Sequence, residues 1–139
     1  MNRVICAGSI PFRLHSGNLE ILLVRSFGKN YWECAKGHLD KLKDETLRDC
    51  AVRETKEECG MDISIIKQLK PIFVPREDEI KAIVLYTAYC LNPDEPYPKD
   101  GELAETKFFS IDDLPELDPW QKNTIYDAIL GMMKEISEN

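Results

Sequence analysis

The feature that most constrains this chain is a helix-forming segment, Glu45–Cys59, in which the stripe expected to face the core becomes acidic. Successive residues of an α-helix lie about 100° apart, so positions three or four apart share a face. The stripe begins with apolar residues and continues with glutamates, the last of them at its edge: Leu47, Cys50, Ala51, Glu54, Glu58 and Glu57. The sequence therefore predicts a helix that packs on a core at its beginning and turns acidic halfway along.

The acidic end of this stripe carries three penalties. Charged side chains are almost never fully buried without a partner, like charges four residues apart destabilise a helix slightly, and carboxylates near its carboxyl end oppose the helix dipole. A bound divalent cation would relieve all three, and Mg²⁺ typically takes one or two carboxylates together with substrate phosphates. For the helix taken alone, a solvated acidic end remains the alternative.

The overall charge is consistent with a metal. The chain has 139 residues with 18 Lys and Arg against 25 Asp and Glu, a net charge of −7. It lacks the basic footprint with which proteins bind nucleic-acid backbones, so no long nucleic acid is expected as a partner. A small polyphosphate substrate would need its positive charge from elsewhere, and a divalent cation held by carboxylates would supply it.

Length and cysteine content bound the organisation. The size is typical of one domain, residues 1–139, and no apolar run approaches the roughly 18 residues of a membrane-spanning helix. The five cysteines form no Cys-x-x-Cys pair, which favours free thiols in a reducing compartment over disulfides or a zinc site. We therefore expect a cytoplasmic protein without a membrane partner, and its oligomeric state is left open.

The remaining pattern predicts strands around two helices. A helix is expected from about Asp44 or Glu45 to Cys59, ended by Gly60, and a last helix is expected to begin at Asp118. Apolar or alternating segments predict the strands: Val4–Phe12, Leu19–Val24, Ile63–Val74, Ile80–Leu91 and Thr106–Ser110. This order predicts an α/β sandwich built on a mixed β-sheet.

The acidic helix is part of a longer motif. Gly37, Glu45 and Arg53–Met61 resemble the Nudix box of the Nudix hydrolases, in which glutamates, an arginine and glycines stand at fixed offsets. Seven residues separate Gly37 from Glu45 where the family usually has five, and Thr55 occupies a usually aliphatic position. Three further stretches are similar to the family: Ala7–Ile10, Tyr31–His38 and Glu105–Leu114.

The resemblance implies a Nudix-type α/β/α sandwich and hydrolysis of a nucleoside diphosphate linked to another moiety, with Mg²⁺ or Mn²⁺ bound. Carried onto this sequence, the metal ligands are Glu54, Glu57, Glu58 and the backbone carbonyl of Lys36. Arg53 would orient the glutamates. The positions implied to be structural are Gly37, Glu45, which would hold the loop against the helix, and Gly60.

The general base and the substrate contacts stay open at this point. Glu57 is one candidate base, and Glu105 and Glu102 are candidates from a late loop, with a solvated loop acid as the alternative for the latter two. Lys36 and His38 are candidates for contacts with phosphate or substrate. Aromatic residues would stack on a base, with core packing as the alternative for each: Tyr31, Trp32, Phe73 and Tyr86.

Among Nudix enzymes, the Lys36-Gly37-His38 approach in a compact chain is most similar to diadenosine polyphosphate hydrolases. This implies cleavage of diadenosine tetraphosphate to ATP and AMP. The alternatives are a nucleoside triphosphate, nucleotide-sugar or RNA 5′-end pyrophosphohydrolase. A non-catalytic Nudix-fold ligand-binding module, or an isomerase of the same fold, is disfavoured because every glutamate of the box is present.

Overall fold

The computed structural model describes residues 2–44, 46–92, 94–99 and 101–138, the side chain of the last residue excepted. Strands and helices follow in this order: β1 (Asn2–His15), β2 (Asn18–Ser26), β3 (Ala35–His38), α1 (Leu47–Cys59), β4 (Ile63–Gln68), β5 (Ile72–Pro75), β6 (Glu79–Cys90), β7 (Leu103–Ser110) and α2 (Lys122–Glu138). In the described part of the chain, neither helix is long and apolar enough to cross a membrane.

The strands form one sheet of mixed direction, as the sequence predicts. Its main order is β4-β6-β1-β2-β7, while β3 pairs with β1 and β5 pairs with β6. The long central pair, β1 and β6, is parallel, and the other pairings are antiparallel. The hairpin of β1 and β2 turns at Ser16 and Gly17, whose φ values of 52° and 81° give the left-handed backbone that tight hairpins require.

Both faces of the sheet are covered, which confirms the α/β/α sandwich. Cys6, Ile10 and Phe12 of β1 share a cluster with Ile125 and other residues of α2. Ala7, between them in sequence, belongs instead to a cluster with Cys50 and Ala51 of α1, together with Val84 and Tyr86. Alternate residues of a strand point to opposite faces, so β1 is buried on both sides, and its apolar run follows from this.

Helix α1 follows the predicted pattern closely. Its N-cap is Thr46, which exchanges hydrogen bonds with Asp49 in a capping box. Its C-cap is Gly60, at φ 73°, in the left-handed region where glycine is favoured. Thr55, at a usually aliphatic position, is fully buried, and its hydroxyl lies 2.6 Å from that of Ser9 on β1. A polar residue is tolerated here because its hydroxyl has a partner.

Three elements differ from their predictions. The predicted strand Ile63–Val74 is two strands, β4 and β5, which both pair with β6. Helix α2 begins at Lys122, because Asp118 instead starts a turn in which it accepts a hydrogen bond from the Trp120 amide at 2.9 Å. Strand β3 was not predicted, since its polar sequence has no strand pattern and it is formed by pairing with β1.

Candidate active site

A cleft of about 670 Å³ opens between the acidic end of α1, strand β3 and the segment before β7. Five acidic and five basic residues line it: Glu33, Asp40, Glu54, Glu58 and Glu102, and Lys29, Lys36, Lys41, Arg53 and Lys81. The balanced charges around the cleft contrast with the net charge of −7 of the whole chain. An anionic substrate would meet cations here that the overall composition does not reveal.

Glu54 is largely enclosed, with 14% of its side chain exposed. Burial raises its pKa above the ordinary value, although the neighbouring Arg53 guanidinium opposes that shift. The Glu54 carboxyl group lies against Gly37, where a Cβ atom would overlap it. A side chain at position 37 would therefore displace the Glu54 carboxyl group from this place.

Arg53 connects the carboxylates of the site. Its Nη1 donates to Glu54 at 2.9 Å and to Glu57 at 3.0 Å. Its Nη2 donates to the backbone carbonyl of His38 at 3.1 Å, which ties helix α1 to the end of β3. Glu57 is drawn toward Arg53, has half of its side chain exposed and does not line the cleft.

Asp44 holds the other side of Arg53. Its carboxylate accepts hydrogen bonds from Arg53 Nε and Nη2, both at 2.8 Å, and 1% of the side chain is exposed. The Arg53 guanidinium lowers the pKa of this carboxyl to about 2. Glu45, which the resemblance implied for this position, lies outside the described residues. The sequence analysis did not identify Asp44. The two additional residues of the loop were the sequence signal that the family spacing does not by itself identify the acidic residue that contacts Arg53.

Glu58 and Lys36 are joined through the backbone. The Lys36 amide donates to Glu58 Oε1 at 2.9 Å, and the Lys36 ammonium lies 2.8 Å from Glu33. Burial works against the charged ammonium, but the Glu33 and Glu58 carboxylates outweigh it and raise the pKa of Lys36. The Lys36 side chain is thus held in an ion pair with Glu33, while its backbone amide contacts Glu58, one of the predicted metal ligands.

The donor set suits a hard divalent cation in part. Glu54 and Glu58 both line the cleft, and a cation would offset the cost of burying the Glu54 charge. Among the described residues, no three His, Cys, Asp or Glu side chains converge closely enough to enclose a metal by themselves. This is consistent with Mg²⁺, which takes one or two carboxylates and completes its shell with water and phosphate oxygens. Glu57 would have to leave Arg53 to join them.

The two late acids are placed differently. Glu102 lines the cleft, and its carbonyl accepts from the Phe27 amide at 3.2 Å, which ties its segment to the end of β2. Glu105 is paired with Arg25 at 2.7 Å, is half exposed and lies outside the cleft. Glu102, and not Glu105, therefore lines the same cleft as Glu54 and Glu58.

A second cavity of about 310 Å³ adjoins the first. The two share four wall residues: Lys29, Glu33, Lys36 and Lys81. The second cavity also presents Tyr31, the half-exposed Trp120 and the exposed Arg76. In the described ranges, neither Lys81 nor Arg76 forms an ion pair. An aromatic, cationic cavity thus continues the carboxylate cleft.

The other candidate substrate contacts are divided between cleft and core. His38 is exposed at the first cavity. Trp32 is buried against Phe109, with ring centroids 4.7 Å apart, and Tyr86 is buried with its hydroxyl bonded to Gln68 at 3.1 Å. Neither ring lines either of these two cavities, so both follow the core-packing alternative. Trp120, just before α2, is a half-exposed aromatic residue of the second cavity.

Comparisons with known proteins agree with this geometry. The NUDIX domain family model matches residues 6–128. The NAD-capped RNA hydrolase NudC of Vibrio vulnificus is 35% identical over 77 residues, which are 54% of this chain and only 28% of that protein. A Caenorhabditis elegans Ap4A hydrolase structure superposes with a TM-score of 0.79 at 24% identity, covering 95% of this chain and 98% of that one. The NUDIX domain of Shewanella oneidensis NrtR, complexed with ADP ribose, superposes with a TM-score of 0.77 at 18% identity, covering 96% and 90%.

Proposed function

The chain belongs to the Nudix family, and from that premise we propose that it hydrolyses pyrophosphate bonds in dinucleoside polyphosphates, with diadenosine tetraphosphate as the preferred substrate and ATP and AMP as the products. The observation that carries the proposal is the pair of adjoining cavities. One contains the carboxylates of the box, and the other contains aromatic rings and cations. A substrate with phosphates in its middle and a base at each end suits such a site.

The wall between the cavities supports phosphate binding. Lys29 is half exposed and lies 3.9 Å from Glu33, so it is only loosely paired, whereas Lys36 is held at 2.8 Å. Lys29 and Lys81 are therefore better placed than Lys36 to contact phosphates that run from one cavity to the other. Tyr31 and Trp120 would offer a stacking surface to a base, and one such stack is worth about 1–3 kcal/mol in nucleic-acid complexes.

Nudix hydrolases generally use divalent metals, and here Mg²⁺ or Mn²⁺ would be held by Glu54 and Glu58 with the Lys36 carbonyl, and by Glu57 once it leaves Arg53. The metal would neutralise charge that develops on phosphate oxygens. Glu102 is the favoured general base, because it is the late acid in the cleft. Its carboxylate would accept the proton of the attacking water as the water approaches phosphorus.

A second candidate substrate is a nicotinamide dinucleotide. The relative with 35% identity is named for hydrolysis of NAD-capped RNA, and NAD shares with the first candidate two nucleosides joined through phosphates. A long RNA is less favoured, because the chain carries a net charge of −7 and RNA binding draws on cations that neutralise phosphates. The free dinucleotide is therefore the form to compare.

A panel of substrates with Mg²⁺ tests the proposal. We expect kcat/KM for diadenosine tetraphosphate to exceed that for ATP by about ten- to a hundredfold, the equivalent of one base stack, with NAD measured in the same series. Equal rates on ATP and the dinucleotide would contradict the preference. A preference for NAD would transfer the proposal to the second candidate.

A further inference from the structure

We propose that Asp44 is the positioning residue that holds Arg53 and, through it, the metal-binding carboxylates. The inference rests on the proposed function, because its consequence is the affinity of the site for a divalent metal. It concerns the loop between β3 and α1, which is two residues longer than the family's usual loop.

The base of this loop is closed by its own hydrogen bonds. The Asp44 amide donates to the Asp40 carbonyl at 2.7 Å, and the Asp40 amide donates to Asp44 Oδ2 at 3.0 Å. The Leu42 amide donates to Asp40 Oδ1 at 2.9 Å, while the Leu42 side chain is 98% exposed. The extra length therefore projects outward as a turn, and Asp44 is fixed at the point where the chain returns to α1.

From this position Asp44 reaches Arg53 with both carboxylate oxygens. Two parallel hydrogen bonds of 2.8 Å between a guanidinium and a carboxylate fix the plane of the arginine, which a single contact would not do. The Asp44 side chain is 1% exposed, so water does not compete for these oxygens. This leaves Nη1 of Arg53 directed at Glu54 and Glu57.

The consequence is a preset arrangement of the carboxylates. Arg53 offsets part of the cost of the buried Glu54 charge and holds the loop carbonyl of His38. Without the Asp44 carboxylate, the guanidinium would be free to pair more fully with Glu54 and Glu57. A metal ion would then compete with Arg53 for the carboxylates of Glu54 and Glu57. Residues that orient metal ligands commonly change metal affinity by 10- to 100-fold when they are lost.

The experiment compares two neighbouring substitutions in the full chain, Asp44→Asn and Glu45→Gln. Each removes one carboxylate charge and changes the side chain little in size. Binding of Mn²⁺ alone is measured by electron paramagnetic resonance, and the melting temperature is measured without metal. We expect Asp44→Asn to weaken Mn²⁺ binding at least tenfold and Glu45→Gln to change it less than twofold. In Asp44→Asn, saturating Mn²⁺ should restore kcat to within a few-fold of wild type.

The Mn²⁺ affinities of the variants distinguish the proposal from its alternatives. If Glu45→Gln weakens Mn²⁺ binding and Asp44→Asn does not, the usual family position holds the arginine and the proposal is wrong. If Asp44→Asn does not fold, Arg53→Lys provides the same test, because it retains the charge but loses the paired hydrogen bonds. Unchanged Mn²⁺ affinity in that variant would also overturn the proposal. A wild-type protein that binds no Mn²⁺ would instead refute the metal site of the proposed function, and this inference with it.

Discussion

The two adjoining cavities are built in different ways. The two predicted metal ligands that line the first, Glu54 and Glu58, come from one helix and lie a single turn apart on α1. The second cavity combines Tyr31, Arg76, Lys81 and Trp120, which come from four separate segments of the chain. In the first, the partly buried Arg53 and its partners hold the acidic groups, whereas two cations of the second, Arg76 and Lys81, have no ion-pair partner among the described residues.

This difference predicts separate roles for the two cavities in catalysis and in substrate selection. Carboxylates that lie on one helix and are held by neighbouring side chains suit a chemical step that many substrates share. Residues from distant segments can change without altering that step, so they suit the choice among substrates. We therefore expect changes in the first cavity to reduce turnover on every substrate and changes in the second to alter only the preference.

The largest effect should come from Glu58→Gln. Loss of this charged ligand should lower kcat by about a hundredfold or more on diadenosine tetraphosphate and ATP alike, since single electrostatic elements of this kind have roughly that effect. Glu135→Gln, on the exposed part of α2, is the matched control and should keep wild-type rates. Near-normal turnover in Glu58→Gln would contradict the assignment of the chemical step to the first cavity. A much lower melting temperature without metal would assign the residue a structural role.

The second effect concerns acid stability of the first cavity. In the folded protein the Asp44 carboxyl has a pKa of about 2, against an ordinary value of 3.8. The Asp44 carboxylate therefore stabilises the folded state above pH 4, and this stabilisation is lost as the pH falls toward 2. We expect Asp44→Asn to lower the free energy of unfolding by about 2 kcal/mol at pH 7. The gap between wild type and variant, measured by urea unfolding, should narrow at pH 2.5. A gap independent of pH would argue against the ion pair with Arg53.

The third effect tests the aromatic rings of the second cavity. Replacing Tyr31 and Trp120 by alanine should reduce the preference for diadenosine tetraphosphate over ATP about tenfold, because a base stack of roughly 1–3 kcal/mol is removed. Hydrolysis of ATP should be little changed. Tyr126→Ala, an equally exposed aromatic of α2 that lines neither cavity, is the control. A parallel loss on both substrates would show that the two cavities do not act separately.

The smallest effect is expected from Lys81→Ala. This cation lines both cavities without an ion pair in the described residues, and a solvated charge contact is worth up to about 1 kcal/mol. We expect KM for the dinucleotide to rise about threefold with kcat unchanged, and the effect to shrink at high salt. Lys70→Ala, exposed and remote from both cavities, should leave KM as it is. A fall in kcat would place Lys81 in the chemical step.

The sequence predicted the first cavity far better than the second. The periodicity of α1, its C-cap at Gly60 and the offsets of the box are local, and local patterns follow from helix geometry. The mixed sheet and the sandwich were also predictable. The location of Glu54 and Glu58 in the cleft agrees with their assignment as metal ligands, which stays a prediction, as do the single-domain organisation over residues 1–139 and the cytoplasmic location.

The sequence could not predict what depends on tertiary neighbours. The choice between stacking and core packing for Trp32 depends on Phe109 on another strand, and the exposure of Trp120 depends on the turn before α2. Strand β3 forms only by pairing with β1. Asp44 was hidden by the lengthened loop, since the family spacing pointed to the next residue.

The most direct test of the central claim is analysis of the products formed from diadenosine tetraphosphate in ¹⁸O-labelled water with Mg²⁺. We expect equal amounts of ATP and AMP, with a single ¹⁸O atom incorporated per cleavage and in only one of the two products. Formation of ADP alone, or hydrolysis that does not depend on a divalent metal, would contradict it.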